Sequence, residues 1–105
     1  MFGENTAKEA LKIINNDRNK AYGEPYLCFD MIAHFWSAYL GISIYPAQVA
    51  EMMCLLKIAR EKCGTGKHDN FVDLVGYALI ADYLRNDFGS DEPVTDFDEY
   101  GGEKI

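Results

Sequence analysis

The sequence predicts an all-α domain, a small bundle of four helices followed by an acidic tail. Three observations predict it. Apolar residues recur at helical spacing in four separate stretches. Prolines and glycines punctuate those stretches, with Pro25 and Pro46 at starts and Gly41, Gly64 and Gly66 at ends. The one strand-like run, Ile42-Ser43-Ile44, has no partner strand in view and reads as a packed connector.

The first helix is capped by Asn5 or Thr6 and carries Ala7, Ala10, Leu11 and Ile14 on one face, fading near Asn15 and Asn16. A polar link runs from Asp17 to Gly23. In the second helix, opened by Pro25, the residues Phe29, Ile32, Ala33, Trp36 and Leu40 form one stripe. Leu27, Cys28, Met31, Phe35 and Tyr39 make most of the remaining circumference apolar as well. A helix that is apolar nearly all round is either central in a core or covered by a partner, and this one is expected at the centre. The third helix follows Pro46 with Val49, Met52, Met53, Leu56 and Ala59. Asp69 caps the fourth, whose expected inward stripe is Val72, Val75, Leu79 and Tyr83. So small a bundle exposes much surface per residue, and self-association as a homo-oligomer is expected to bury the excess.

Charge sets the one internal boundary. Of the seven net negative charges in the 105 residues, five fall in residues 88–105. Six acids lie there (Asp91, Glu92, Asp96, Asp98, Glu99, Glu103) against Lys104. The expected organisation is a helical domain over residues 1–87 and a mobile acidic tail over 88–105 that buries too little apolar surface to order itself. A sharper alternative makes that tail a DNA-like decoy or a docking arm, anchored by Phe97 and Tyr100. The acidic balance disfavours general nucleic-acid binding, and no apolar run approaches the length of a bilayer span. Met1 to Asn5 show no basic region leading into an apolar run, so no secretory signal is expected and the chain reads as cytoplasmic. Cys28, Cys54 and Cys63 are an odd set without paired spacing, so no disulfide framework is expected.

Charged residues placed among core positions mark the candidate site. Lys57 and Arg60, three apart, share a face of the third helix, while Asp69, Asp73 and Tyr77, each four apart, share a face of the fourth. A semi-buried Asp73 requires a cation or several donors, and Lys57 or Arg60 stands one short loop away. One reading is an interhelix ion pair that fixes packing. The other is a pocket in which Lys57 and Arg60 hold phosphate and an aspartate positions a sugar hydroxyl or a metal; the guanidinium fork and the ammonium point charge both suit phosphate. The two are compatible. Gly76 before Tyr77 admits close approach of another helix or a ligand, and Arg18 and Tyr22 in the link offer further contacts to the same site.

The ordered set Asp17-Arg18, Tyr22-Gly23, Pro25, Phe29, Ile32-Ala33, Trp36, Lys57-x-x-Arg60, Asp69, Asp73 and Gly76-Tyr77 resembles a family of short phage and prophage proteins. The resemblance spans Asp17 to Tyr83. Its Lys-x-x-Arg and Asp-x-x-x-Asp-x-x-Gly-Tyr segments are also similar to a domain associated with phage nucleotide modification. The family pattern opens Gly-Asp-Arg where this chain has Asn16 before Asp17, and it often has Asn where this chain has Cys28. The resemblance implies a phage accessory protein acting in the host cytoplasm.

Catalysis has less in its favour than binding. The Glu-Glu-x-x-Glu of helical, magnesium-dependent nucleotide pyrophosphatases is missing, and Asp69-x-x-x-Asp73 only loosely echoes the companion motif. The cysteines and His34 and His68 lack zinc-ligand spacing. Asp30 and His34, one turn apart, could act as base and orienter or form a subunit contact. Gly64-Thr65-Gly66-Lys67 is only a fragment of a P-loop. No cofactor, metal, direct nucleic-acid partner or membrane is therefore expected. The leading expectation is a non-catalytic binder of a nucleotide-like phosphate ligand through Lys57, Arg60, Asp69, Asp73, Tyr77, Arg18 and Tyr22, able to sequester a host signal. Its rivals are an acidic inhibitor that binds a host defence protein and, third, a divergent pyrophosphatase.

Overall fold

A computed structural model describes residues 2–17, 25–64 and 66–87, and in it the four expected helices are present. Helix α1 spans Glu4–Lys12 and continues into a π-helical turn, Ile13–Asp17; α2 spans Pro25–Leu40, α3 Pro46–Cys63 and α4 His68–Asp82, which ends in a second π-helical turn, Tyr83–Asp87. Among the described residues there is no strand. Arg18, Tyr22 and the acidic segment 88–105, with the docking-arm reading it carried, lie outside the described residues.

Local chemistry accounts for the boundaries, with two corrections. The first helix starts earlier than expected: Gly3, at φ 85°, is its N-cap, and Ala7 N–H donates to the Gly3 carbonyl at 3.0 Å. Glycine tolerates that left-handed turn without the Cβ clash that most residues would meet there. Asp69 likewise does not cap the fourth helix. Lys67 takes the N-cap position with extended backbone, and Asp69 sits in the first turn, where its charge favours the positive end of the helix dipole. Between α2 and α3 the expected connector is latched at both ends. Gly41, at φ 74°, closes α2 by donating to the Ser37 carbonyl at 2.8 Å. Ile44 N–H then donates to Ser37 Oγ at 2.7 Å, and that hydroxyl donates to the Ile44 carbonyl at 3.3 Å. Ser37, 7% exposed, is thus a buried polar group with its partners in place. Gln48 Oε1 accepts from Tyr45 N–H at 3.0 Å and ties down the start of α3, where Pro46 holds the first position.

Antiparallel α3 and α4 form the frame. Glu51 meets Arg85 at one end (2.8 Å), Cys54 Sγ faces the Leu74 carbonyl, and Lys57 meets Asp73 further along. The α1 helix runs alongside α4 in the same sense, with Glu9 against His68 at 3.2 Å and Ile14 against Gly76. One core joins α2, α3 and α4: Phe29, Ala33, Ala47, Val49, Ala50, Ile80, Ala81 and Leu84. Its alanines let the helix axes approach closely. Burial of Phe29 contributes roughly 1.5–3 kcal/mol.

The second helix is not the centre that its composition suggested. The first half of α3 is the more deeply enclosed, with Val49 and Ala50 fully buried, while α2 leaves a whole face open. The fourth helix is also rotated from expectation. Val72, Gly76 and Ile80 face inward, whereas Leu79 is exposed. On α3, Met52 and Leu56 are exposed too. These helices are apolar on several faces, so periodicity alone leaves the choice of inward face to the neighbours.

Candidate functional site

Lys57 lies in the α3 face turned toward α4, and its neighbours on the preceding turn are Met53 and Cys54. Its stem is covered and its ammonium reaches Asp73 Oδ2 at 2.9 Å; the Lys57 side chain is 11% exposed and that of Asp73 37%. The ion-pair reading therefore holds for this couple. Burial strengthens the attraction, but it also removes hydration from the lysine, so the pair serves chiefly to fix the register of α3 on α4. One turn earlier, burial and then the nearby Glu51 push the Cys54 thiol above its ordinary range.

Arg60 does not join that pair. It is exposed in the last turn of α3 and opens onto a cleft of ≈ 390 Å³ lined also by Cys63, Gly64, Lys67 and Asn70. The turn that builds the cleft depends on its glycines. Gly64 N–H donates to the Arg60 carbonyl at 2.8 Å, and a Cβ on Gly64 would stand only 2.8 Å from that oxygen. Gly66, at φ 72°, has the Glu61 carboxylate 3.1 Å from where a Cβ would be. At the start of α4, Asn70 N–H donates to the Lys67 carbonyl at 3.1 Å, and Lys67 supplies no side-chain cap. Among the described residues neither Arg60 nor Lys67 is held in an ion pair. The cleft thus presents a guanidinium, an ammonium, a carboxamide and the leading end of a helix, a donor set that suits an anion.

Of the other expected site residues, Asp69 is exposed in the first turn of α4. Tyr77 lies apart from the cleft. It packs against the core with its ring centroid 6.3 Å from that of Phe29. Gly76 faces Ile14, at ordinary contact distance for an added Cβ, so helix packing occupies the space that a ligand could have taken. Cys63, Gly64, Lys67 and Asn70 line the cleft although charge and helical spacing do not single them out. The sequence signal that marks them is the Gly64-Thr65-Gly66-Lys67 turn, a P-loop pattern only in part.

A second polar couple sits on α2. His34 Nδ1 donates to the Asp30 carbonyl at 2.6 Å and lies 3.5 Å from the same residue's carboxylate Oδ1, which is shut off from solvent without a hydrogen-bond partner. Burial raises the Asp30 carboxyl above the usual carboxylate range, partly offset by His34. Among the described residues no three His, Cys, Asp or Glu side chains converge as a metal site. No helix among them is long and apolar enough to cross a membrane.

Comparison with known proteins places the chain in a family. The chain is 42% identical over 93 residues to the Gene 55 protein of Mycobacterium phage D29, an alignment covering 88% of this chain and 61% of that protein. It is 39% identical over 77 residues to the Gene 55 protein of Mycobacterium phage L5, covering 72% of this chain and 49% of the relative. The chain therefore spans about half to three fifths of these relatives' length. No solved structure matches it. Residues 5–85, from the first turn of α1 to the π-helical turn after α4, match the domain of unknown function DUF6378. On that match and on its phage relatives, the chain belongs to the DUF6378 family.

Proposed function

We propose that this protein is a phage accessory protein that binds a nucleotide-like phosphate ligand at the α3–α4 turn, holding it rather than transforming it, and so sequesters a host signalling nucleotide. The observation that carries this reading is the placement of Arg60 and Lys67 on one open cleft, while the neighbouring Lys57 is already neutralised by Asp73. Arg60 offers the planar fork that grips two phosphate oxygens and Lys67 a point charge. Asn70 can accept or donate toward a sugar or base. Lys57 and Asp73 act behind the cleft, holding α3 and α4 in register. Tyr77 belongs to the core in this reading and not to the ligand.

Calorimetry of the whole chain against mono-, cyclic and triphosphate nucleotides tests it. At least one nucleotide is expected to bind, and Arg60→Lys to weaken it about tenfold, since charge survives while the fork is lost. If no nucleotide binds, or if Arg60→Lys and Lys67→Ala both leave affinity unchanged, the reading fails.

A further inference from the structure

The open face of α2 carries Leu27, Met31, Phe35 and Tyr39, four residues apart in succession and 65%, 56%, 66% and 89% exposed. Such spacing makes a single i±4 ridge about 18 Å long. At about 150–250 Å² for a fully exposed large side chain, the four offer on the order of 500 Å² of apolar surface. Leu40 and Ile42, 53% and 43% exposed, extend it beyond the end of the helix. That is near the upper limit of what a monomer leaves open, about 300–600 Å². With its flanks it approaches the roughly 800 Å² each partner contributes to a stable complex.

From this geometry we infer that the ridge is the contact of a two-fold homodimer in which the α2 helices of two copies cross antiparallel between Met31 and Phe35. Charge favours a second copy as the occupant. Copies that each carry a net charge of −7, five of it in residues 88–105, repel overall, so a contact between them is favoured where charge is sparse. From Leu27 to Leu40 the only acid or base besides His34 is Asp30, whose side chain is 21% exposed and lies off the ridge. Two copies can therefore meet here with little repulsion. Size favours the antiparallel sense. A two-fold axis midway along the ridge sets Met31 against the partner's Phe35 and Leu27 against the partner's Tyr39, so each smaller side chain meets an aromatic one. A parallel pair would set like against like. A thioether against an aromatic ring is itself a favourable contact, and i±4 ridges that interdigitate give a crossing near −50°. The same residue pair occurs twice, as an isologous interface requires.

Sedimentation velocity on the full chain at tens of micromolar tests this. The wild type is expected to sediment as a dimer. Phe35→Glu and Met31→Lys are each expected to sediment as monomers with unchanged helical circular dichroism, because both side chains are exposed in the single copy. An equimolar mixture of the two variants is expected to restore a dimer. In the antiparallel pair the new lysine faces the partner's new glutamate, while the second contact keeps its Phe–Met pair. Leu55→Glu, on the exposed face of α3, is expected to leave the dimer intact. A monomeric wild type overturns the proposal, as does a dimer that survives Phe35→Glu or is lost in Leu55→Glu. A mixture that stays monomeric overturns the antiparallel arrangement. If Phe35→Glu loses its helical signal, Met31→Lys alone and an equimolar mixture of Leu27→Glu with Tyr39→Lys, which face each other in the antiparallel pair, decide by the same criteria.

Discussion

Lys57 and Asp73 meet at 2.9 Å across the α3–α4 seam, but they are unequally buried: the lysine is 11% exposed and the aspartate 37%. The two partners should therefore tolerate loss differently. Asp73→Ala leaves an ammonium with little water around it, short of some rearrangement of its stem. A cost of about 1–3 kcal/mol is expected, below that of breaking a fully buried pair. Lys57→Met keeps the apolar stem in place and leaves a carboxylate that water can reach, so less than about 1 kcal/mol is expected. Urea denaturation midpoints give the order. Equal losses would show that the pair is not held in this asymmetric environment.

Gly76 is a removable weakness. It is buried in α4, yet a Cβ there would meet only Ile14 Cδ1 and Cγ1, at 3.7 and 3.8 Å. Glycine in a helix interior costs up to about 1 kcal/mol relative to alanine. Gly76→Ala is expected to raise the unfolding free energy by up to about that amount. A loss of stability would mean that α1 stands closer to α4 than these distances indicate. Gly64→Ala should go the other way, because there the added Cβ would stand 2.8 Å from the Arg60 carbonyl oxygen.

These glycines illustrate what the sequence makes legible. Helix existence and ends were readable because Pro25, Gly41, Pro46 and Gly64 act locally, through fixed φ, permitted left-handed turns and missing side chains. Inward faces were not. On α2 and α4 several faces are apolar, and which of them is covered depends on where α3 runs. The same holds at the site. Charge and i, i+4 spacing brought Lys57 to Asp73 correctly, since both sit on facing helices joined by a short turn. They also grouped Arg60 with that pair and Tyr77 with the cleft. A rotation of about 100° per residue turns Arg60 outward and Tyr77 toward Phe29.

Asp30 gives the fold a pH dependence of predictable sign. Burial raises its carboxyl in the folded chain, with His34 only partly offsetting this. Between the unfolded and folded values the native state holds more protons, so stability falls as pH rises through that window. Above it the full penalty remains, and below the ordinary carboxylate range there is none. Asp30→Asn removes the ionisation and is expected to raise Tm at neutral pH, with the advantage vanishing in acid. Tm measured for both proteins from acid to neutral pH checks this; a difference that does not change with pH would contradict it.

The cysteines report on the cleft without any substitution. Cys63 is exposed and lines it, whereas the Cys54 thiol is half-buried, faces the Leu74 carbonyl, and is pushed up by burial and by Glu51. Only the thiolate reacts with an alkylating agent, and a raised pKa at a covered site leaves little of it at neutral pH. Iodoacetate is therefore expected to modify Cys63 about tenfold faster than Cys54 or more, as followed by peptide mass spectrometry. A nucleotide seated between Arg60 and Lys67 should slow the modification of Cys63 while leaving Cys54 unchanged. The reverse also follows, because a carboxymethyl group on Cys63 places a negative charge beside Arg60 and competes with phosphate for it. If a nucleotide binds but neither protects Cys63 nor loses affinity after its carboxymethylation, it is seated elsewhere on the protein.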